Sequence, residues 1–419
     1  MVAGGIGMSA RTIRRCATGA LTAALLLTGC SVPGHPRPAP PDLTALDLGP
    51  YSSDPPAAAP VGTEADGRVL ESVRMGEAVI DPIEADPTLK YGLGNAASVP
   101  IPAAQKAVYL SEPVRAVLAE YGMLAGFSVG GMDSELNPSV AVGHARLLNV
   151  MLLRFPDAAA AERAAARIDA VDAAVSTENV PVSIPDHPGA HAHWRPGVPT
   201  LAATRAQDAY VITVLAGYPA TDLAALTGMA RNALTAQVTR LHGFQPTPVG
   251  AFAALPLDTD GMLARMLPEA PGVWPRPTVL APIADKNAGW RARLLPSGVV
   301  YGPRASHRWG SWKKDDSTGD AVIALRGTNL LVRFPTPVAA REEFLATADE
   351  VSGDGMRAAS PPAGIPDARC MESVEHGPYE VRFACRALYG VYDVQVFSRT
   401  LVDAQRRIAA QYALLVRSA

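Results

Sequence analysis

The chain has 419 residues and a formal net charge of −3 at pH 7, from 37 basic and 40 acidic side chains. This length is enough for about two or three domains. The mildly acidic balance excludes a general nucleic-acid-binding surface, which needs a basic face. The sequence also contains no glycine-rich phosphate loop and no kinase motif set, so we expect neither a nucleic-acid partner nor a cofactor.

The first 29 residues have the organisation of a secretion signal. Arg11, Arg14 and Arg15 precede an apolar run over residues 17–27, and small residues follow it. This order is typical of a signal peptide. The run is too short to cross a membrane as a helix, which takes about 20 apolar residues. Met8 is an alternative start to Met1, because residues 1–7 add nothing to the signal.

The signal ends in Leu-Thr-Gly-Cys at residues 27–30. This end resembles the lipobox of bacterial lipoproteins, which implies that the Cys30 sulfur receives a diacylglyceryl group and that Cys30 becomes the mature N-terminus. The alternative is ordinary cleavage with Cys30 as a free thiol. Two or more acyl chains, palmitate among them, hold a protein stably on lipid. We therefore predict a body anchored on the extracytoplasmic face of the cell membrane by Cys30 and a proline-rich tether, residues 30–42.

Two helices are predicted in the region that follows, over residues 68–78 and 111–121. Ser111 can cap the second helix, Pro113 lies in its first turn, and Gly122 can end it.

Several short motifs occur in a fixed order along the chain. They are Leu46-Asp47-Leu48-Gly49-x-Tyr51, Leu70-Glu71-x-x-Arg74, residues 121–128 (YGMLAGFS) and residues 153–158 (LRFPDA). From about residue 43 to the C-terminus the chain thereby resembles the two-domain envelope lipoproteins of unknown function found in mycolic-acid actinobacteria. The resemblance implies an envelope lipoprotein, and it carries over no catalytic residue.

The body contains an internal repeat. Residues 153–156, LRFP, recur as VRFP at residues 332–335, and Ile-Pro-Asp at 184–186 recurs at 365–367. In each copy an apolar strand precedes a helix, capped by Asp157 in the first and Thr336 in the second. An alanine-rich helix closes each copy, at about residues 220–240 and 400–417. Each copy therefore predicts a strand, a helix, two or three antiparallel strands and a second helix.

This element order predicts an α+β fold with two related domains. Helices on one face of an antiparallel sheet would give a ferredoxin-like layer. We place the domains at residues 43–245 and 301–419, with residues 246–300 as a proline-rich connector.

Two cysteines remain in the body, Cys370 and Cys385, because Cys16 leaves with the signal. Outside the cytoplasm a lone pair usually forms a disulfide. We predict a bridge between neighbouring strands of the second copy. A redox or metal site is the alternative, although the spacing fits neither a Cys-x-x-Cys motif nor a zinc knuckle.

Residues 126–130 match the G-x-S-x-G pattern of a serine-hydrolase elbow, with Ser128 as the nucleophile. That chemistry needs a strand before the serine and a helix after it. Here a helix closely precedes the pattern and loop-like residues follow. We therefore interpret the segment as a glycine-rich turn, and a hydrolase using Ser128 stays an alternative.

Three histidines, His187, His191 and His193, lie close together in sequence. On a strand, residues 191 and 193 face the same side. With Asp186 or His187 they could hold zinc or copper. No second cluster supplies the remaining ligands, so we expect no metal and retain the histidines as candidates only.

Trp309 and Trp312 fall in a predicted loop, where exposed aromatic rings can stack on a sugar or anchor a partner. They are the candidate ligand-binding residues, although such rings can also pin a loop onto the core. The sequence as a whole predicts a lipid-anchored, non-catalytic protein that binds an envelope lipid, a glycan or a protein partner. A lipid or small-molecule carrier with an apolar cleft is the alternative.

Overall fold

The computed structural model describes residues 42–94, 98–136, 141–270, 272–283, 293–308, 320–350, 355–374 and 381–418. The predicted signal peptide, Cys30, most of the tether, Trp309 and Trp312 lie outside these residues. Leu43–Ala419 is one compact unit.

The helices of the described residues are α1 Glu64–Met75, α2 Pro82–Ala85, α3 Glu112–Glu120, α4 Ala158–Ala173, α5 Leu223–Leu241, α6 Pro303–Ser306, α7 Pro337–Glu350 and α8 Leu401–Arg417. The first helix begins four residues earlier than predicted because Thr63 and Asp66 form a capping box: the Asp66 backbone N–H donates to Thr63 Oγ1, and the Thr63 N–H donates to the Asp66 carboxylate. The predicted cap Ser111 instead donates its hydroxyl to Asp172 on α4.

The strands of the described residues fall into three sheets. The first-sheet strands are β1 Tyr91–Gly92, β2 Ser98–Pro100, β3 Ala125–Met132, β4 Leu147–Arg154, β5 Val180–Pro181, β6 Ala190–Trp194, β7 Thr200–Gln207 and β8 Tyr210–Gly217. A separate hairpin consists of β9 Thr278–Ile283 and β10 Arg293–Ser297. The second large sheet contains β11 Val299–Tyr301, β12 Val322–Arg326, β13 Asn329–Arg333, β14 Met356–Ala359, β15 Ala368–Ser373, β16 Phe383–Tyr389 and β17 Tyr392–Ser398.

The two large sheets share one topology, which confirms the internal repeat. In the first, the order β3-β4-β8-β7-β6-β5 is extended by β1 and β2, which both pair with β3. In the second, β12-β13-β17-β16-β15-β14 repeats that order and β11 extends it. Helices α4 and α7 occupy equivalent places in the two copies, as do α5 and α8. Asp157 and Thr336 cap α4 and α7 as predicted.

The α+β class with antiparallel sheets and two domains is confirmed, but the ferredoxin-like topology is not. The prediction that helices cover one face is wrong. Along β4, Leu148, Val150 and Leu152 join the core that contains α1 and α5, whereas Met151 and Leu153 join the core that contains α3 and α4. A strand covered on both faces needs apolar residues at successive positions, which explains the apolar residues at 147, 148 and 150–153 on either side of Asn149.

The disulfide between Cys370 and Cys385 is confirmed. The two residues are directly opposite on β15 and β16, and both side chains lie in the core under α8. A bridge that closes a loop of this length contributes about 3 kcal/mol in the chain-entropy account. It joins β15 and β16 within the four-strand meander β14 to β17 of the C-terminal domain.

The cores of the two domains are continuous. Val299, Tyr301 and Ile323 of the second sheet belong to the same apolar cluster as Met75 and Phe127 of the first domain. The Phe127 and Tyr301 rings meet edge to face at 6.4 Å. Helix α1 contacts both β3 and β11, so it lies in the seam between the two sheets.

A buried polar clamp closes this seam. Arg308, just after α6, donates to the carbonyl oxygens of Gly76 and Val79, each at 2.7 Å, and to Asp81 at 2.5 Å. In the other direction the Glu77 carboxylate accepts from the backbone N–H of Ala305 at 2.8 Å. Residues 76–81 of the first domain are therefore held by side chains and backbone of the second.

The seam predicts a specific pH dependence of stability. Burial alone would raise the pKa of Asp81, but the neighbouring guanidinium groups of Arg308 and Arg304 outweigh it and hold that pKa below its ordinary value. A depressed carboxyl pKa contributes stability that is complete above the unfolded pKa, about 3.9, and is lost as the pH falls through the folded value. We expect Asp81→Asn to lower the free energy of unfolding by about 1–3 kcal/mol at pH 7.

The measurement is urea denaturation of both proteins at pH 7 and near pH 3. The gap between wild type and Asp81→Asn should shrink at the lower pH, whereas the exposed control Asp320→Asn should show little effect at either. A gap that is equal at both pH values would contradict the assignment.

Candidate functional site

Ser128 lies in the interior of β3 and not at a turn. Its side chain is fully buried, and its hydroxyl pairs with Asn149, whose Nδ2 donates to it at 3.0 Å. The interpretation of residues 126–130 as a glycine-rich turn is wrong, since they form the middle of a strand. A hydrolase elbow requires the serine at a sharp turn between a strand and a helix, and Ser128 does not lie at such a turn.

The glycines around Ser128 have a packing role. A Cβ on Gly126 would lie 2.9 Å from the Leu153 side chain, and one on Gly130 would lie 2.9 Å from Leu93. Real Cβ atoms essentially never lie within 3.0 Å of such an atom, so a larger residue at either position would force its neighbours to shift. The G-x-S-x-G spacing therefore reflects close packing on alternate positions of one strand.

His187 is fixed as a neutral, structural side chain. Its Nδ1 accepts from the Arg205 guanidinium, so the proton is on Nε2, which faces Thr235 Oγ1 on α5 at 2.9 Å. Burial and the positive charge of Arg205 lower the pKa of His187. Both ring nitrogens are therefore engaged, and neither is available to a metal.

The other two histidines do not join His187. His193 bonds through Nδ1 to Asp169 on α4 at 2.8 Å, and His191 is exposed on the same strand. Because α4 and α5 cover opposite faces of the first sheet, His187 and His193 lie on opposite sides of it. Within the described ranges, no group of three or more His, Cys, Asp or Glu side chains could hold a metal ion.

Glu71, which belongs to the motif Leu70-Glu71-x-x-Arg74, lies at the centre of a buried cluster of charged and polar groups that the sequence did not predict. We call this cluster the hub. The Glu71 carboxylate, fully buried on α1, accepts from Arg154 of β4, from Arg74 at 2.6 Å, and from the backbone and hydroxyl of Thr247 at 3.1 and 2.7 Å. Arg154 also donates to the Thr247 carbonyl at 2.6 Å and stacks on the Phe252 ring at 5.4 Å. The hub ties α1, β4 and the segment after α5 into one unit.

The motif at residues 46–51 forms a strap, which we define as residues 43–54. Although the strap begins the folded body, it binds the C-terminal domain. The Tyr51 hydroxyl donates to Asp403 on α8 at 2.5 Å, and Arg407 lies over the Tyr51 ring at 4.9 Å. Asp47 accepts from Arg406 at 2.9 Å, and Leu46 enters the core under α8.

Together these features define an α+β protein of two repeated domains joined through one core and one strap. Residues 58–257 match the family model described as domain of unknown function (DUF7373) N-terminal, and residues 262–418 match its C-terminal counterpart. The chain thus belongs to this two-domain family of unknown function, as the sequence motifs indicated at the coarser level. Its actinobacterial origin stays a prediction.

The comparison with solved structures gives a distant likeness. The chain is similar to the extracellular domain of PknH from Mycobacterium tuberculosis, with 12% identity and a TM-score of 0.27, over 40% of this chain and 94% of that one. No curated protein matches the chain. Among the described residues, no helix is long and apolar enough to cross a membrane.

The hub predicts a large loss of stability when its acceptor is removed. Glu71→Ala would leave Arg154 buried without its counter-charge, so we expect the free energy of unfolding to fall by about 3–5 kcal/mol. Glu64→Ala, on the same helix, removes only an exposed pair with Arg68 and should cost less than about 1 kcal/mol. Chemical denaturation of the two variants tests this difference. Equal losses would show that the hub is not a stability determinant.

Proposed function

We propose that this protein is a lipid-anchored, extracytoplasmic binding protein without catalytic activity. The observation that carries the proposal is the sequence Leu-Thr-Gly-Cys at residues 27–30, behind a basic and then apolar segment. Cys30 would carry the lipid, and residues 31–42 would be the tether. The folded body would then bind an envelope lipid, a glycan or a protein partner.

The strap supports this arrangement mechanically. The tether leads directly into residues 43–54, and these are fixed to α8 by a buried leucine, two ion pairs and a tyrosine hydrogen bond. A pull on the anchor would therefore act on the folded C-terminal domain rather than on a loose N-terminal segment.

The geometry of the candidate catalytic and metal residues also favours a binding role. Ser128 is sealed in the sheet and bonded to Asn149, and His187 and His193 are separated by that sheet. The polar clusters at Glu71 and at Arg308 are held by hydrogen bonds to other groups of the fold. Buried polar groups that are paired in this way stabilise the fold, so we assign both clusters a structural role.

Lipidation predicts opposite behaviour for two cysteine variants. In a bacterial host that processes lipoproteins, wild type should incorporate a clickable palmitate analogue and fractionate with membranes. Cys30→Ala should lose the label and appear in the soluble fraction or the medium. Cys16→Ala, within the signal, is the matched control and should behave as wild type.

The proposal would be contradicted if Cys30→Ala still incorporated the palmitate analogue and fractionated with membranes. It would also be contradicted if wild type incorporated no label.

A further inference from the structure

The turn end of the β12–β13 hairpin carries two buried polar side chains. Arg326 and Asn329 are the last pair of the ladder, on either side of a two-residue turn, and are only 2% and 6% exposed. Val322 and Ala324, at alternate positions before Arg326, face the core under α8. Arg326 and Asn329 therefore lie at the end of that core, where Arg326 contacts Met266 and Val273.

Arg326 is buried and forms no salt bridge with a carboxylate of the described residues. Two of its N–H groups donate to the carbonyl oxygens of Met266, at 3.2 Å, and Val273, at 2.8 Å. Its Nε–H has no acceptor in the described part of the chain. Burial lowers the pKa of Arg326, and the exposed Glu269 offsets this only in part. A buried cation with an unused donor is costly unless something else completes it.

Two further unpaired atoms belong to the same corner. Trp274 follows Val273, whose carbonyl oxygen accepts a hydrogen bond from Arg326. Its ring packs against the core under α8, and its indole Nε1–H is buried with no acceptor among the described residues. Asn329, across the hairpin from Arg326, leaves its Oδ1 buried without a donor. The corner thus offers two N–H donors, a permanent positive charge and one acceptor.

We propose that this corner, formed by Trp274, Arg326 and Asn329, binds an oxyanion, a carboxylate or phosphate group, that carries a neighbouring hydroxyl. The oxyanion would accept from Arg326 Nε–H and Trp274 Nε1–H, and the hydroxyl would donate to Asn329 Oδ1. Arginine and indole N–H groups are suited to this task because charge-assisted bonds to an anion are about twice as strong as neutral ones. The inference does not depend on lipidation of Cys30.

Among the described residues, the first domain has no counterpart of this site. There, β3 and β4 end at Met132 and Leu147 and are joined by a longer connection, whereas β12 and β13 are joined by two residues. Both domains thus have the repeated sheet. The two-residue turn between β12 and β13, next to the buried Arg326, differs from the longer connection between the equivalent strands β3 and β4. A ligand at this corner would bind one domain of the pair.

The test uses the full mature chain and three soluble probes: glycolate, glycerol 3-phosphate and uncharged glycerol. Calorimetric titration and thermal unfolding should show saturable one-to-one binding of an anionic probe, with a rise in Tm, and no response to glycerol. Trp274→Phe keeps an aromatic ring at this position but removes the indole N–H together with the five-membered ring, so it should weaken binding about tenfold or more and also lower the Tm of the free protein modestly through lost packing. Trp194→Phe is the matched control, because that indole donates to Val198 in the first domain.

Arg326→Lys adds a second variant, which should abolish anion binding. No saturable binding of either anion by wild type, at concentrations up to tens of millimolar, would overturn the proposal. Equal binding by Trp274→Phe and wild type would also overturn it.

A short-chain phosphatidate, compared with glycerol 3-phosphate, separates the two sources of a phosphate group. Tighter binding of the lipid, lost in Trp274→Phe, would support the site and assign it to a headgroup. Equal or weaker binding of the lipid would support a free solute.

Discussion

The structure depends on the seam in which α1 and residues 76–81 are enclosed by both sheets. Phe127 from the first sheet and Tyr301 from the second meet there, and Arg308 reaches across to two carbonyl groups and Asp81. Neither group of contacts can form within one domain alone. A buried arginine that is satisfied only by the other domain makes separation of the domains expensive, because its hydrogen bonds would have to be replaced by water or lost.

The chain is also tied together from its beginning. The strap at residues 43–54 precedes the first domain in sequence but packs on α8, the last helix of the second. The second domain is therefore held to the first domain at the seam and to the start of the chain through the strap. Because the strap is followed directly in sequence by the first domain, it connects that domain to α8.

Sequence reasoning recovered the features that depend on neighbouring residues. The caps at Asp157 and Thr336, the closing helices and the repeated Arg-Phe-Pro segments were predictable, because each signal lies within a few positions. The Cys370–Cys385 bridge was predictable because the sequence indicates an extracytoplasmic protein and leaves only these two cysteines in the body. Local signals of this kind are strong because they reflect hydrogen bonds and periodicity inside one element.

The features that were missed arise from contacts between distant segments. Residues 126–130 resembled a turn because glycine is rare inside strands, and only the approach of Leu93 and Leu153 explains those glycines. Glu71 and Arg154 are 83 positions apart, so no signal within either element predicted their pairing. The coverage of both sheet faces was hidden in the same way, although the apolar residues at 147, 148 and 150–153 of β4, interrupted only by Asn149, were a sign of it.

The claim that both domains form one folding unit is tested most directly by calorimetry of the body, residues 43–419. The continuous core and the Arg308 clamp predict a single unfolding transition whose calorimetric and van't Hoff enthalpies agree. Arg308→Ala should shift that whole transition to lower temperature. Two resolved transitions in wild type, with only one of them moved by Arg308→Ala, would contradict the account.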